Sequence, residues 1–138
     1  MREMPSFRIV QCNGETFQSN NLATDKPILI LYFSPECDDC LSFMDVFFHH
    51  INDFNDVSIV MITYLPIKEA AGFIHKYQID SHKNIVIGTE EHSLLVMNYY
   101  RIKQIPFAAL YDKNKNAIAL YEKNIPINNL IAKLRKSK

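Results

Sequence analysis

Lys26-Pro27-Ile28-Leu29-Ile30-Leu31-Tyr32-Phe33-Ser34-Pro35-Glu36-Cys37-Asp38-Asp39-Cys40 is the stretch on which the fold of this chain turns. Pro27 opens a continuous run, Ile28 to Phe33, of β-branched, aliphatic and aromatic residues, the pattern of a strand buried on both faces. Ser34-Pro35-Glu36 breaks the run and helical spacing follows. Leu41, Met44, Phe48 and Ile51, with Phe47 and Phe54 beside them, recur at steps of three and four. Cys37 and Cys40 thus fall in the first turn of a helix that directly follows a buried strand.

That placement is what thiol chemistry needs. Attack on a disulfide requires a thiolate, and the unpaired N–H groups of a first helical turn stabilise one. In the usual division of labour Cys37 is the exposed attacking sulfur, and Cys40, one turn deeper, resolves the mixed disulfide. Cys-x-x-Cys is also half of a zinc site, which would need two further ligands. Cys12, His49 and His50 are the nearby candidates. The histidines lie about 14 Å along the helix from Cys40, too far to share an ion, so no metal is expected.

Outward from this segment the elements alternate. Phe7 to Val10 reads as a strand, followed by a turn at Asn13-Gly14. Val57 to Tyr64 is a second buried-type strand, Ile67 to Tyr77 a helix, and Asn84 to Ile87 a short strand. Thr89 is placed to cap a helix reaching about Tyr100, with Glu90 and Glu91 in its first turn. Phe107 to Tyr111 and Ala117 to Tyr121 flank a turn at 112–116, and Pro126 opens a last helix with Ile127, Leu130, Ile131 and Leu134. This succession predicts one α/β domain over residues 1–138, a mixed sheet with helices on both faces.

Composition agrees with a self-sufficient core: 138 residues, 48% hydrophobic and 12% aromatic. Lys plus Arg and Asp plus Glu balance at 15 each, which argues against nucleic-acid binding. The basic cluster Lys133, Arg135, Lys136 and Lys138 suits a helix C-terminus. Three glycines leave little for nucleotide loops, and no cofactor is expected. No run is long enough to span a bilayer, and the start carries no apolar signal core. The chain as given reads as a cytoplasmic monomer, periplasmic if an export signal has been trimmed.

Two segments together carry a family resemblance. Residues 26–40 resemble the active-site segment of thioredoxin-like proteins, and Tyr100-Arg101-Ile102-Lys103-Gln104-Ile105-Pro106-Phe107-Ala108-Ala109-Leu110-Tyr111-Asp112 resembles their second signature. The long interval from Cys40 to Pro106 is similar to the redoxin branch, the TlpA-like thiol-disulfide oxidoreductases and their peroxiredoxin relatives, which insert an extra strand and helix. The resemblance implies a three-layer α/β/α sandwich. It implies Cys37 as nucleophile, Cys40 as resolving thiol, and Pro106 as a cis proline shaping a substrate groove. Ile105 would offer its backbone to an extended partner segment. The activity implied is exchange with thiols and disulfides of partner proteins, fed by an upstream electron donor.

The chain also departs from that pattern. Thioredoxins carry Trp before the first cysteine and Gly-Pro between the two; here stand Glu36 and Asp38-Asp39. The acid they bury six residues before the first cysteine is replaced by Leu31. Three carboxylates disfavour negative charge on the Cys37 sulfur, which points to a reducing couple, although Asp38 and Asp39 equally suit a first helical turn. Two other functions compete. A peroxiredoxin-type peroxidase would use Ser34, three residues before Cys37, but needs a proline where Ile30 stands. A redox-inactive binding module would keep the groove and lose the exchange.

Overall fold

A computed structural model describes residues 3–137. Among the described residues, seven strands join one mixed sheet. β1 (Arg8–Val10) and β2 (Thr16–Gln18) form a hairpin at one edge, and β3 (Ile28–Tyr32) and β4 (Ser58–Thr63) lie at the centre beside β5 (Ile85–Thr89). β6 (Phe107–Tyr111) and β7 (Ala117–Glu122) complete the order β2-β1-β5-β4-β3-β6-β7. β3, β4 and β5 run parallel, and β6 is antiparallel to β3 in the register Tyr32–Phe107. Every residue of β3 and β6 is buried, as their unbroken apolar runs require.

The sheet is covered by α1 (Asp38–His49), α2 (Ala71–Lys76), α3 (Leu95–Tyr100) and α4 (Ile127–Lys136). Alternation along β3 divides the core in two. Leu29, Leu31 and Phe33 join α1, α2 and α4 through Phe43, Met44, Phe47, Phe73, Ile74, Leu130, Ile131 and Leu134. Ile28, Ile30 and Tyr32 join α3 and the N-terminal segment through Val96, Tyr100, Phe7 and Ile9. The result is the three-layer sandwich expected from the sequence. At Gly88 an added Cβ would stand 2.8 Å from the Val10 carbonyl, so glycine there lets β1 close on β5.

Several local expectations are corrected. The hairpin partner β2 has no counterpart in the sequence reading, being only three residues long with one half-buried side chain. The core face of α1 is Cys40, Phe43, Met44 and Phe47, rotated from the expected stripe, which leaves Leu41 and Phe48 half-buried. The helix expected over 67–77 opens as a 3-10 turn, Ile67–Ala70, before α2. Thr89 ends β5 and does not start a helix; its hydroxyl accepts the Glu91 N–H at 3.0 Å, and Glu91 and Leu94 have left-handed backbone before α3 begins.

Candidate active site

β3 ends at Tyr32, and the next four residues form a tight bend. Phe33 N–H donates to the Ile62 carbonyl at 3.0 Å, and Cys37 N–H donates to the Ser34 carbonyl at 3.1 Å. The buried Ser34 hydroxyl accepts the Glu36 N–H at 3.2 Å. Cys37 is thereby left as the N-cap of α1, in extended backbone, half-exposed. Its sulfur does what a cap side chain does: it accepts the Cys40 N–H at 3.2 Å.

Cys40 is fully buried beneath Cys37, and both are free thiols. Burial drives the Cys40 thiol far above its ordinary range, reinforced by its hydrogen bond with Cys37 and by the charges of Cys37 and Asp39; a backbone hydrogen bond from Ser34 opposes the shift. Leu31 shares this apolar cluster, and Phe33 stacks on Phe73 nearby with ring centroids 4.8 Å apart. Glu36, Asp38 and Asp39 are all exposed, the two aspartates in the first turn of α1.

The loop before β6 meets the cysteines from the other side. The Cys37 thiol lies 3.8 Å from the Ile105 carbonyl, bridging 68 residues of sequence. Ile105 is half-buried, Pro106 is buried, and the bond between them is cis. Three hydrogen bonds at the end of β7 hold this loop. Glu122 accepts the N–H groups of Lys103 at 2.7 Å and Gln104 at 3.3 Å, and Lys123 N–H donates to the Pro106 carbonyl at 2.8 Å. Sequence reading did not find Glu122. It ends an edge strand, and only the β6–β7 pairing, Phe107 opposite Glu122, carries it to the loop.

The remaining candidates lie elsewhere. Cys12 is exposed, its thiol raised by partial burial and by Asp80, in a hollow of about 740 Å³ shared with His75, Lys76 and Asp80 and with neither Cys37 nor Cys40. His50 sits 3.6 Å from Asp53 near the far end of α1. Among the described residues no three His, Cys, Asp or Glu side chains converge to hold a metal, and no helix is long and apolar enough to cross a membrane.

No family model matches the sequence, and no curated protein matches it significantly. Solved structures do match the fold. MTB dsbF, seen in mixed oxidized and reduced forms, aligns with a TM-score of 0.78 at 18% identity, covering 96% of this chain and 95% of that one. A secreted Mycobacterium tuberculosis disulfide oxidoreductase homologous to E. coli DsbE aligns at 0.76 and 16%, covering 94% and 95%. The exposed lipoprotein thioredoxin Etrx1 of Streptococcus pneumoniae aligns at 0.70 and 15%, covering 96% and 99%. The chain therefore has the thioredoxin-like fold over nearly its whole length.

Proposed function

We propose that this protein exchanges disulfides with partner proteins through Cys37 and Cys40, acting as a reductant. One observation carries the reading: a half-exposed sulfur caps α1 directly above a second, fully buried cysteine. The Cys37 thiolate attacks one sulfur of a partner disulfide, and the other partner sulfur leaves as a thiolate. Cys40, once deprotonated, attacks the Cys37 sulfur and releases the partner's remaining cysteine. One partner disulfide becomes two thiols, the protein dithiol becomes a disulfide, and the two cysteine protons end on the released thiolates. Ile105 and Pro106 form the floor on which an extended partner segment lies, its backbone beside the Ile105 carbonyl.

Two further facts support this reading. The matching structures include proteins described as a disulfide oxidoreductase and a thioredoxin. The direction is our reading from charge. Glu36, Asp38 and Asp39 are exposed and flank Cys37 in the chain, and negative charge placed beside a dithiol favours its disulfide form.

Alkylation tests the pair. Under limiting iodoacetamide Cys37 labels first and Cys40 last, and mild oxidation joins the two in an intramolecular disulfide, read by mass spectrometry. Equal labelling of Cys12, Cys37 and Cys40 without a disulfide would remove the redox function. A reduction potential near thioredoxin's, about −270 mV, marks a reductant, and one near about −120 mV marks an oxidant.

A further inference from the structure

α1 and the loop between β7 and α4 face each other across a groove of about 520 Å³. Asp39, Phe43 and Val46 line one wall, and Lys123, Ile125 and Pro126 line the other. The first wall belongs to the helix that Cys37 caps, and the second is tied to the Pro106 carbonyl by the Lys123 N–H. Val46 is 43% exposed on a helix whose other large apolar side chains are buried or half-buried. A groove that starts at Asp39, between the two cysteines in sequence, and reaches the exposed Val46 is placed to read the chain that carries the partner's cysteine.

We infer that this groove receives an aliphatic side chain of the partner, on an extended segment three or four residues from the cysteine that Cys37 attacks. The spacing follows from geometry. Phe43 and Val46 lie six and nine residues beyond Cys37, which is ~9 and ~14 Å along a helix. An extended chain advances ~3.3–3.6 Å per residue, so three or four residues cover that span. Charge adds a second feature. Glu36 and Asp38 are exposed beside Cys37 and do not line the groove, in which Asp39 and Lys123 stand on opposite walls. A Lys or Arg of the partner therefore suits the position beside its cysteine. The inference rests on the exchange reading above and specifies the segment exchanged with.

The test uses the reduced full chain and short serine-rich peptides whose single cysteine is blocked as a mixed disulfide with thionitrobenzoate. Attack by Cys37 on the peptide sulfur releases thionitrobenzoate, and closure by Cys40 releases the peptide. A leucine is walked from one to six residues away on either side of the cysteine. The second-order rate peaks at three or four residues on one side, about tenfold above the all-serine peptide, a difference of ~1.4 kcal/mol. Val46→Asn and the milder Val46→Ala lower that leucine-to-serine ratio towards one, each rate being normalised to the same variant's rate with the free aryl disulfide. Lysine beside the cysteine outperforms glutamate at low salt, and added salt narrows the gap. A rate independent of leucine position, or a ratio unmoved by both Val46 variants, overturns the groove. Absence of thionitrobenzoate release from every disulfide overturns the exchange reading instead.

Discussion

Leu31 and Tyr32 are consecutive residues of β3, yet they enter two different interiors. Leu31 points with Cys40 into a layer of phenylalanine, methionine and aliphatic side chains under α1, α2 and α4. Tyr32 points the other way, where its hydroxyl donates to the buried carboxylate of Glu90 at 2.5 Å. Glu90 also accepts the N–H groups of Val96 at 2.9 Å and Met97 at 3.2 Å, so it supplies the cap that left-handed Leu94 cannot give α3. Tyr100 and Tyr111 hydrogen-bond to each other on the same side. Glu90, the one buried acid among the described residues, thus stabilises a helix on the face away from the cysteines, while Cys40 is kept in an apolar environment. One interior is organised by polar satisfaction and the other by dryness. In the dry one burial favours the protonated Cys40 thiol.

Removing Glu90 breaks the polar side hardest. Glu90→Ala orphans the Tyr32 hydroxyl and two helix N–H groups, and about 4 kcal/mol of stability is lost by denaturant unfolding. Tyr32→Phe, which removes one donor, costs about 1–2 kcal/mol. Exchange at Cys37 changes far less than stability, because this network lies across the sheet; a parallel collapse of both would join the two interiors functionally.

Placing an acid on the dry side sharpens the contrast. Leu31→Asp loses apolar burial and buries a carboxyl without a partner, about 3 kcal/mol less stable. Closure of the Cys37–Cys40 disulfide from a trapped mixed disulfide, followed by quenched-flow alkylation, nevertheless speeds up, because the carboxylate can take the Cys40 proton. Unchanged closure would show that deprotonation of Cys40 does not limit the step.

The mildest probe is pH. Cys40 is held above the ordinary thiol value of 9.0, mainly by burial, so the folded dithiol keeps its proton where an unfolded chain releases it. Stability is fully present below pH 9 and falls as pH rises past it, by up to ~1.4 kcal/mol per unit. Tyr32, raised from 10.0 by burial and by Glu90, adds the same sign of loss at higher pH. Cys40→Ser removes the first phase and Tyr32→Phe the second in pH-dependent denaturation curves. Closure of the disulfide rises about tenfold per pH unit without levelling below pH 9.

Legibility differed between the same two regions. The continuous run at 28–33, its break and the cysteines after it were readable because burial on both faces and a helix start leave local signatures. β6 and α4 were readable on the same grounds. The sequence pattern places Glu90 in a first helical turn behind a Thr89 cap. Nothing local distinguishes that from a buried acid, since its partner Tyr32 is 58 residues away.

The sequence by itself determined the sandwich, the two cysteines at the start of a helix, and the acidic residues around them, because periodicity and capping act over a few residues. Only the tertiary structure decided which acid is buried and which cysteine is dry. It also decided that the Ile105 carbonyl stands 3.8 Å from the Cys37 sulfur and that Glu122 holds that loop in place. These follow from strand order and register: β3 lies between β4 and β6, β7 ends opposite Phe107, and alternation sends residues 31 and 32 to opposite faces. Such pairings are global consequences of packing one sheet, and no short window of sequence contains them.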